Sequence, residues 1–215
     1  MSGLVVLISG RGSNLKALCE KGLDGHIRCV ISNKADAAGL SIAKQFGLTT
    51  KVIDHKLFRT REEFDAEVAI EIDKYNPDLI VLAGFMRILS SVFVERYKNR
   101  IINIHPSLLP AFVGSNAQSE AIALKVKVSG ATVHLVNNQL DCGPILAQGV
   151  VPAYQNLTNT DLAQRILDLE HVIYPFIIWK FLSHQVNFHE DGTIEIKHIP
   201  QDKDLLKGYI NSVFY

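Results

Sequence analysis

The chain has 215 residues, 47% of them apolar, and carries 22 basic and 22 acidic side chains. That apolar share excludes disorder and suffices for one sizeable α/β core, or barely two small ones. Zero formal charge without a basic run or stripe argues against a nucleic-acid partner. Cys19, Cys29 and Cys142 show no CxxC spacing, which disfavours a disulfide framework or a zinc site and suits a reducing cytoplasm. The first apolar run, residues 4–9, is far shorter than a membrane span or signal-peptide core, and no later run is long enough to cross a bilayer. The expectation is a cytoplasmic protein with no metal and no membrane partner.

Leu4-Val5-Val6-Leu7-Ile8 is a continuous apolar run, as expected of a strand buried on both faces. Gly10-Arg11-Gly12-Ser13-Asn14 gives a tight turn, and helical spacing continues from Leu15 to Lys21. A second strand fits His26 to Ser32, a helix about Ala35 to Phe46, with Gly47 at its C′ position, and a third strand Thr50 to Ile53. Thr60-Arg61-Glu62-Glu63 reads as a capping box, and Phe64, Val68, Ile72 and Tyr75 mark one face of the helix behind it. Asn76-Pro77-Asp78 ends that helix and Leu79 to Ala83 forms another buried strand. Strands and helices in this alternation predict a Rossmann-like α/β fold, with a mostly parallel central sheet flanked by helices.

The rhythm changes after the strand Ile101-Ile102-Asn103-Ile104-His105, which Pro106 stops. Residues 128–136 and 145–151 read as antiparallel strands of the C-terminal half, separated by the polar loop 137–144. A long helix fits Thr160 to Leu182, starting near Thr158 or Asn159. Val186 to Ile196 suggests a hairpin turning at Glu190-Asp191-Gly192. Beyond Gln201, Leu205, Leu206, Tyr209 and Phe214 recur at roughly helical spacing and look exposed. The expected organisation is a single domain over 1–215, with halves 1–100 and 101–200, a cleft between them, and a tail, 201–215, of unassigned role.

Two features carry chemistry. A strand followed by Gly-x-Gly-Ser-Asn and a helix presents outward backbone N–H groups, to which Ser13 and Asn14 add donors. Leu15 stands where a dinucleotide fingerprint needs a third glycine, so the turn suits a single phosphate better than a pyrophosphate. A glycine turn chosen for backbone geometry alone is the plainer alternative. Asn103 and His105 share one strand face, and Asp141 lies on a glycine-proline loop. Amide, imidazole and carboxylate together suit acyl transfer, although a strand histidine taken singly is more often structural.

Several motifs in order give the chain a close resemblance to a known family. They are Ile8 to Leu15, Leu82-Ala83-Gly84-Phe85-Met86-Arg87-Ile88-Leu89, Asn103 to Pro110, Ser129 to His134, Leu140 to Pro144, and Glu170-His171. Over roughly residues 4–182 it resembles the folate-dependent phosphoribosylglycinamide formyltransferases of purine synthesis. The resemblance implies that Gly12, Ser13 and Asn14 cradle the ribose 5-phosphate of the substrate and Glu170 holds its ribose. It places Arg61, Met86, Arg87, Ile88, Leu89 and Asn103 at the formyl-folate, and Asn103, His105 and Asp141 at the chemistry. Residues 137–144 match the loop that closes over the pteridine. The N-terminal half would then bind nucleotide phosphate, and residues 101–200 the folate.

The implied reaction passes a formyl group from 10-formyltetrahydrofolate to the amine of 5-phosphoribosylglycinamide, without a metal. Asn103 and protonated His105 would donate to the oxyanion, with Asp141 tuning the imidazole. The state would be monomer or homodimer. Formyltetrahydrofolate hydrolase and methionyl-tRNA formyltransferase share the trio but need an additional domain, and a short neutral chain beginning at its first strand fits neither. A non-catalytic nucleotide-binding module is the alternative from another class. His134, on a predicted strand, either supports His105 or packs in the core.

Overall fold

Strand β1 (Leu4–Ile8) is buried at all five positions, as a strand covered on both faces must be. The computed structural model describes residues 3–154, 156–200, 202–206 and 213–214. The chain divides into two units: Met1–Asn103 with Leu135–Asn138, and Ile104–His134 with Gln139–Tyr215.

In the first unit β1 is followed by α1 (Ser13–Leu18), β2 (Ile27–Ser32), α2 (Gly39–Gln45), β3 (Thr50–Val52), α3 (Arg61–Asp73), β4 (Leu79–Leu82) and α4 (Ser91–Arg96). Strand β5 (Ile101–His105) begins here and its last two residues belong to the second unit. The strands pair in the order β5-β4-β1-β2-β3, and every pairing is parallel. Alternate residues Val5, Leu7, Cys29, Ile31, Ile80, Leu82 and Ile101 pack with Phe64, Val68 and Ile72 of α3 and Phe93 and Val94 of α4. The intervening residues Leu4, Val6, Ile8, Val30, Leu79 and Val81 are equally buried, because side chains of a strand point alternately to the two faces.

The helix ends refine the sequence reading. Helix α1 stops at Leu18, and Cys19–Leu23 continues as a π-helical turn with Gly22 at φ 81, a conformation that ends regular winding. Helix α2 begins only at Gly39, because residues 34–38 are spent in a turn closed by Ala37 N–H donating to the Lys34 carbonyl. Gly47, at φ 69, ends that helix as expected. Thr60 Oγ1 accepts the Glu63 N–H at 3.1 Å, but Glu63 reaches the Arg59 N–H at 2.9 Å, so the capping box is offset by one residue.

The second unit contains α5 (Ala117–Ala123), β6 (Val128–Leu135, its last residue in the first unit), β7 (Ile145–Pro152), the 24-residue α6 (Asn159–Leu182), β8 (Val186–Phe188), β9 (Ile194–Ile196), α7 (Asp202–Leu205) and β10 (Val213–Phe214). Strand β7 pairs antiparallel with β6 on one side and β10 on the other. Strands β8 and β9 form the expected hairpin. Thr158 caps α6 in a capping box with Asp161. The fold class anticipated from the alternation of elements, parallel first and antiparallel later, is therefore the one observed.

The tail departs from expectation. Leu206 is fully buried rather than exposed, and Phe214 lies on a strand opposite Gln148 rather than on a helical stripe; Tyr209 lies outside the described residues. The physical reason is a buried ion pair. Lys180 Nζ of α6 lies 2.6 Å from Asp202 Oδ1, both side chains under 5% exposed at 3% and 4%. The same ammonium donates to the Lys197 carbonyl at 2.7 Å, while Ile199 N–H donates to Asp202 Oδ2 at 3.0 Å.

Removing one partner of such a pair strands the other charge. Asp202→Ala is expected to lower unfolding free energy by about 3–5 kcal/mol in urea denaturation, and replacing Lys180 and Asp202 together by apolar residues should recover most of it. A second prediction concerns Glu71, whose acidity the Lys74 ammonium strengthens at 2.6 Å against the opposing effect of burial. A carboxylate held below its ordinary value adds stability above that value and loses it as pH falls through the folded one. The difference in urea midpoint between the parent chain and Glu71→Gln should therefore shrink from about pH 7 to about pH 3.

Candidate active site

Asn103 and His105 stand two apart on β5 and so share a strand face; Asn103 is half-buried and His105 is buried. His105 is held at both ring nitrogens. Its Nε2 lies 2.8 Å from the Phe112 carbonyl, which can only accept, so this nitrogen carries a hydrogen. Its Nδ1 lies 3.4 Å from Asp141 Oδ2, an ion-pair separation rather than a tight hydrogen bond.

Asp141 enters from the loop between β6 and β7, with a left-handed backbone at φ 51 that aspartate tolerates better than most residues. Its side chain is only 9% exposed. The Gly114 N–H donates to Oδ2 at 3.0 Å, and His134 Nε2 lies 3.9 Å from Oδ1. The carboxylate thus lies among two imidazoles and a backbone N–H. His134 sits on β6 where the register with β7 shifts between Val133 and His134, a bulge of the kind that re-aims a side chain. The sequence left its role open between support of His105 and packing; the geometry puts it against the same carboxylate.

The turn after β5 is fixed by a buried hydroxyl that the sequence did not single out. Thr132 Oγ1 donates to the Ser107 carbonyl at 2.7 Å and accepts the Leu109 N–H at 3.1 Å. Gln148 Nε2 reaches both that hydroxyl and the Leu109 carbonyl, and Ser107 Oγ donates to the Ala111 carbonyl. These bonds hold residues 107–111, just before the Phe112 carbonyl on His105. A threonine in an apolar strand gives no local signal of such long-range partners.

In the first unit, Gly12 precedes α1 at φ 77, and a Cβ there would come 2.5 Å from the Gly39 Cα. Both the backbone angle and the approach of α2 demand glycine. Ser13 is half-buried and Asn14 buried. Met86 and Ile88 are exposed at 76% and 54%, whereas Phe85 and Leu89 pack into the core. Arg61 is the exposed first residue of α3, and Arg87 is half-buried with its guanidinium over the Phe64 ring. Glu170 is buried in α6 of the second unit. The structure thus brings His105, Asp141 and His134 together and keeps Asn103 on the strand face of His105.

Among the described residues no helix is long and apolar enough to cross a membrane, and no group of three or more His, Cys, Asp or Glu side chains could hold a metal ion. The formyl transferase family model matches residues 3–178, and the chain belongs to that family. Within it, phosphoribosylglycinamide formyltransferase of Escherichia coli is 43% identical over 193 residues, 88% of this chain and 91% of that protein. The human trifunctional purine biosynthetic protein adenosine-3 is 44% identical over 195 residues, 89% of this chain but only 19% of that much longer protein. The crystal structure of glycinamide ribonucleotide transformylase 1 from Symbiobacterium toebii superposes with a TM-score of 0.87 at 40% identity, covering 92% of this chain and 95% of that one.

Thr132→Val keeps shape but removes the hydroxyl, leaving the Leu109 N–H and Ser107 carbonyl short of a partner. It should destabilise the protein by about 1–3 kcal/mol in chemical denaturation.

Proposed function

We infer that this chain is a phosphoribosylglycinamide formyltransferase of purine biosynthesis that takes its formyl group from 10-formyltetrahydrofolate. The observation that carries the reading is Asp141, nearly buried and set between His105 and His134. Such a carboxylate is of use to a reaction in which a proton leaves one nitrogen and arrives at another.

The Met86–Leu89 segment fits a folate. It offers exposed apolar surface at Met86 and Ile88, and a cation at Arg87 whose Nε is buried without a hydrogen-bond partner. Arg61 and the Asn103 amide would complete the holding of the ligand, and the folate would supply the activated formyl group. Gly12, Ser13 and Asn14 would take the substrate phosphate on backbone and side-chain donors, with Glu170 at the ribose.

The substrate amine forms a bond to the formyl carbon and pushes the C=O electron pair onto the formyl oxygen, and the return of that pair breaks the bond from the carbon to the donor nitrogen. Negative charge grows on the formyl oxygen, and the Asn103 amide and the His105 Nε2–H are the donors for it. The hydrogen that the Phe112 carbonyl now accepts is the one this oxygen needs, so the oxygen takes the place of that carbonyl as acceptor. Asp141 faces the ring at Nδ1, 3.4 Å away. It also directs transfer of the proton lost by the amine toward the donor nitrogen that must gain one.

In steady-state assays with 5-phosphoribosylglycinamide and 10-formyltetrahydrofolate, Asp141→Asn and Asn103→Ala should each lower kcat by about 100- to 1,000-fold with far smaller changes in KM. Near-normal turnover in either variant would remove that residue from the chemistry. Formate released equally with and without the ribonucleotide would make the protein a hydrolase instead.

A further inference from the structure

Asp65 takes no part in the chemistry above, yet its surroundings are unusual for a helix carboxylate. It lies on α3, 2% exposed. Its Oδ2 accepts the Ser90 backbone N–H at 2.5 Å across 25 residues of sequence. Ser90 is the N-cap of α4, its own hydroxyl accepting the Phe93 N–H. The Met86–Leu89 segment is therefore held at both ends: at Met86 by its N–H on Ser9 Oγ, 2.8 Å away, and at Ser90 by Asp65.

The backbone bond alone does not require a charge, since a carboxamide oxygen also accepts an N–H, though more weakly. A buried carboxylate is expensive unless something uses its charge. Here the second oxygen, Oδ1, is buried with no hydrogen-bond partner, and so is Nε of Arg87 in the segment that Asp65 anchors. The Arg87 guanidinium rests on the ring of Phe64, the residue next to Asp65 on α3. Burial pushes the Asp65 carboxyl above the ordinary carboxylate range, while the Ser90 contacts and then the Arg61 and Arg87 charges pull it back. The acid and the Arg87 cation thus lie against the same segment, and the acid is the more deeply buried of the two.

We propose that Asp65 is a positioning residue for the formyl donor: it fixes the backbone at Ser90 and orients the Arg87 guanidinium, which rests on the neighbouring Phe64 ring, within the Met86–Leu89 wall. The proposal rests on the reading of that wall as the donor's binding surface. Asp65 touches no ligand itself; it sets the shape and charge of the residues that do.

The decisive variant is Asp65→Asn, which keeps an acceptor for the Ser90 N–H and removes the charge; Asp65→Ala removes both. Steady-state kinetics of the parent chain and both variants, varying each substrate separately, should give Asp65→Asn a KM for 10-formyltetrahydrofolate raised about tenfold. Its KM for 5-phosphoribosylglycinamide should stay within about twofold and kcat within about threefold. Asp65→Ala should raise the donor KM further; if it does not fold, the asparagine variant decides alone. An unchanged donor KM in Asp65→Asn overturns the proposal, as does an equal rise in both KM values or a fall in kcat alone, which a purely structural carboxylate would produce. Failure of the underlying reading looks different: the parent chain itself would then have no saturable dependence on the donor.

Discussion

A carboxylate removed from water must be given partners, and Asp141 is the group around which the second unit arranges its loops. The loop between β6 and β7 delivers it in a left-handed turn, β5 delivers His105, β6 delivers His134 at a bulge, and the 112–114 segment delivers a backbone N–H. Three separate pieces of chain meet the side chain that a fourth presents. Any of them displaced by an ångström would leave a charge short of compensation, which is costly inside a protein. The same demand that stabilises the loops fixes the imidazole in register with its carboxylate.

The thermodynamic support for this arrangement comes from ordinary burial. In the first unit, strands buried on both faces pack between helices, and the apolar residues of β1 are wholly removed from water. Such strands leave their polar residues at their carboxyl ends, where the apolar run stops. Ser9 after β1 and His105 at the end of β5 lie at those positions. Ser9 then holds Met86, so one strand end shapes the loop that follows another.

Polar and charged groups in the interior play a different part from the apolar core. Thr132, Asp65 and the Lys180–Asp202 pair each join segments distant in sequence. None is a strong source of net stability, because desolvation offsets much of each attraction. Each specifies one arrangement over its neighbours, since a shifted loop would leave a buried partner unsatisfied.

The local rules were legible in the residues. Apolar runs gave the strands, period-two alternation placed Asn103 with His105, and Thr158 and Gly47 marked real helix ends, because each depends on a few neighbouring residues. The motif order gave the family, and with it His105 and Asp141 as a pair. Other features were decided only by tertiary structure. Glu63 caps at Arg59 instead of Thr60, α2 starts late, Leu206 is buried by a tail that Lys180 anchors, and His134 turns toward Asp141 at a bulge. In each case the deciding partner lies on another segment or in an alternative local hydrogen bond of similar energy. A choice between such near-equal options is made by packing and by satisfaction of buried charge, which no local pattern encodes.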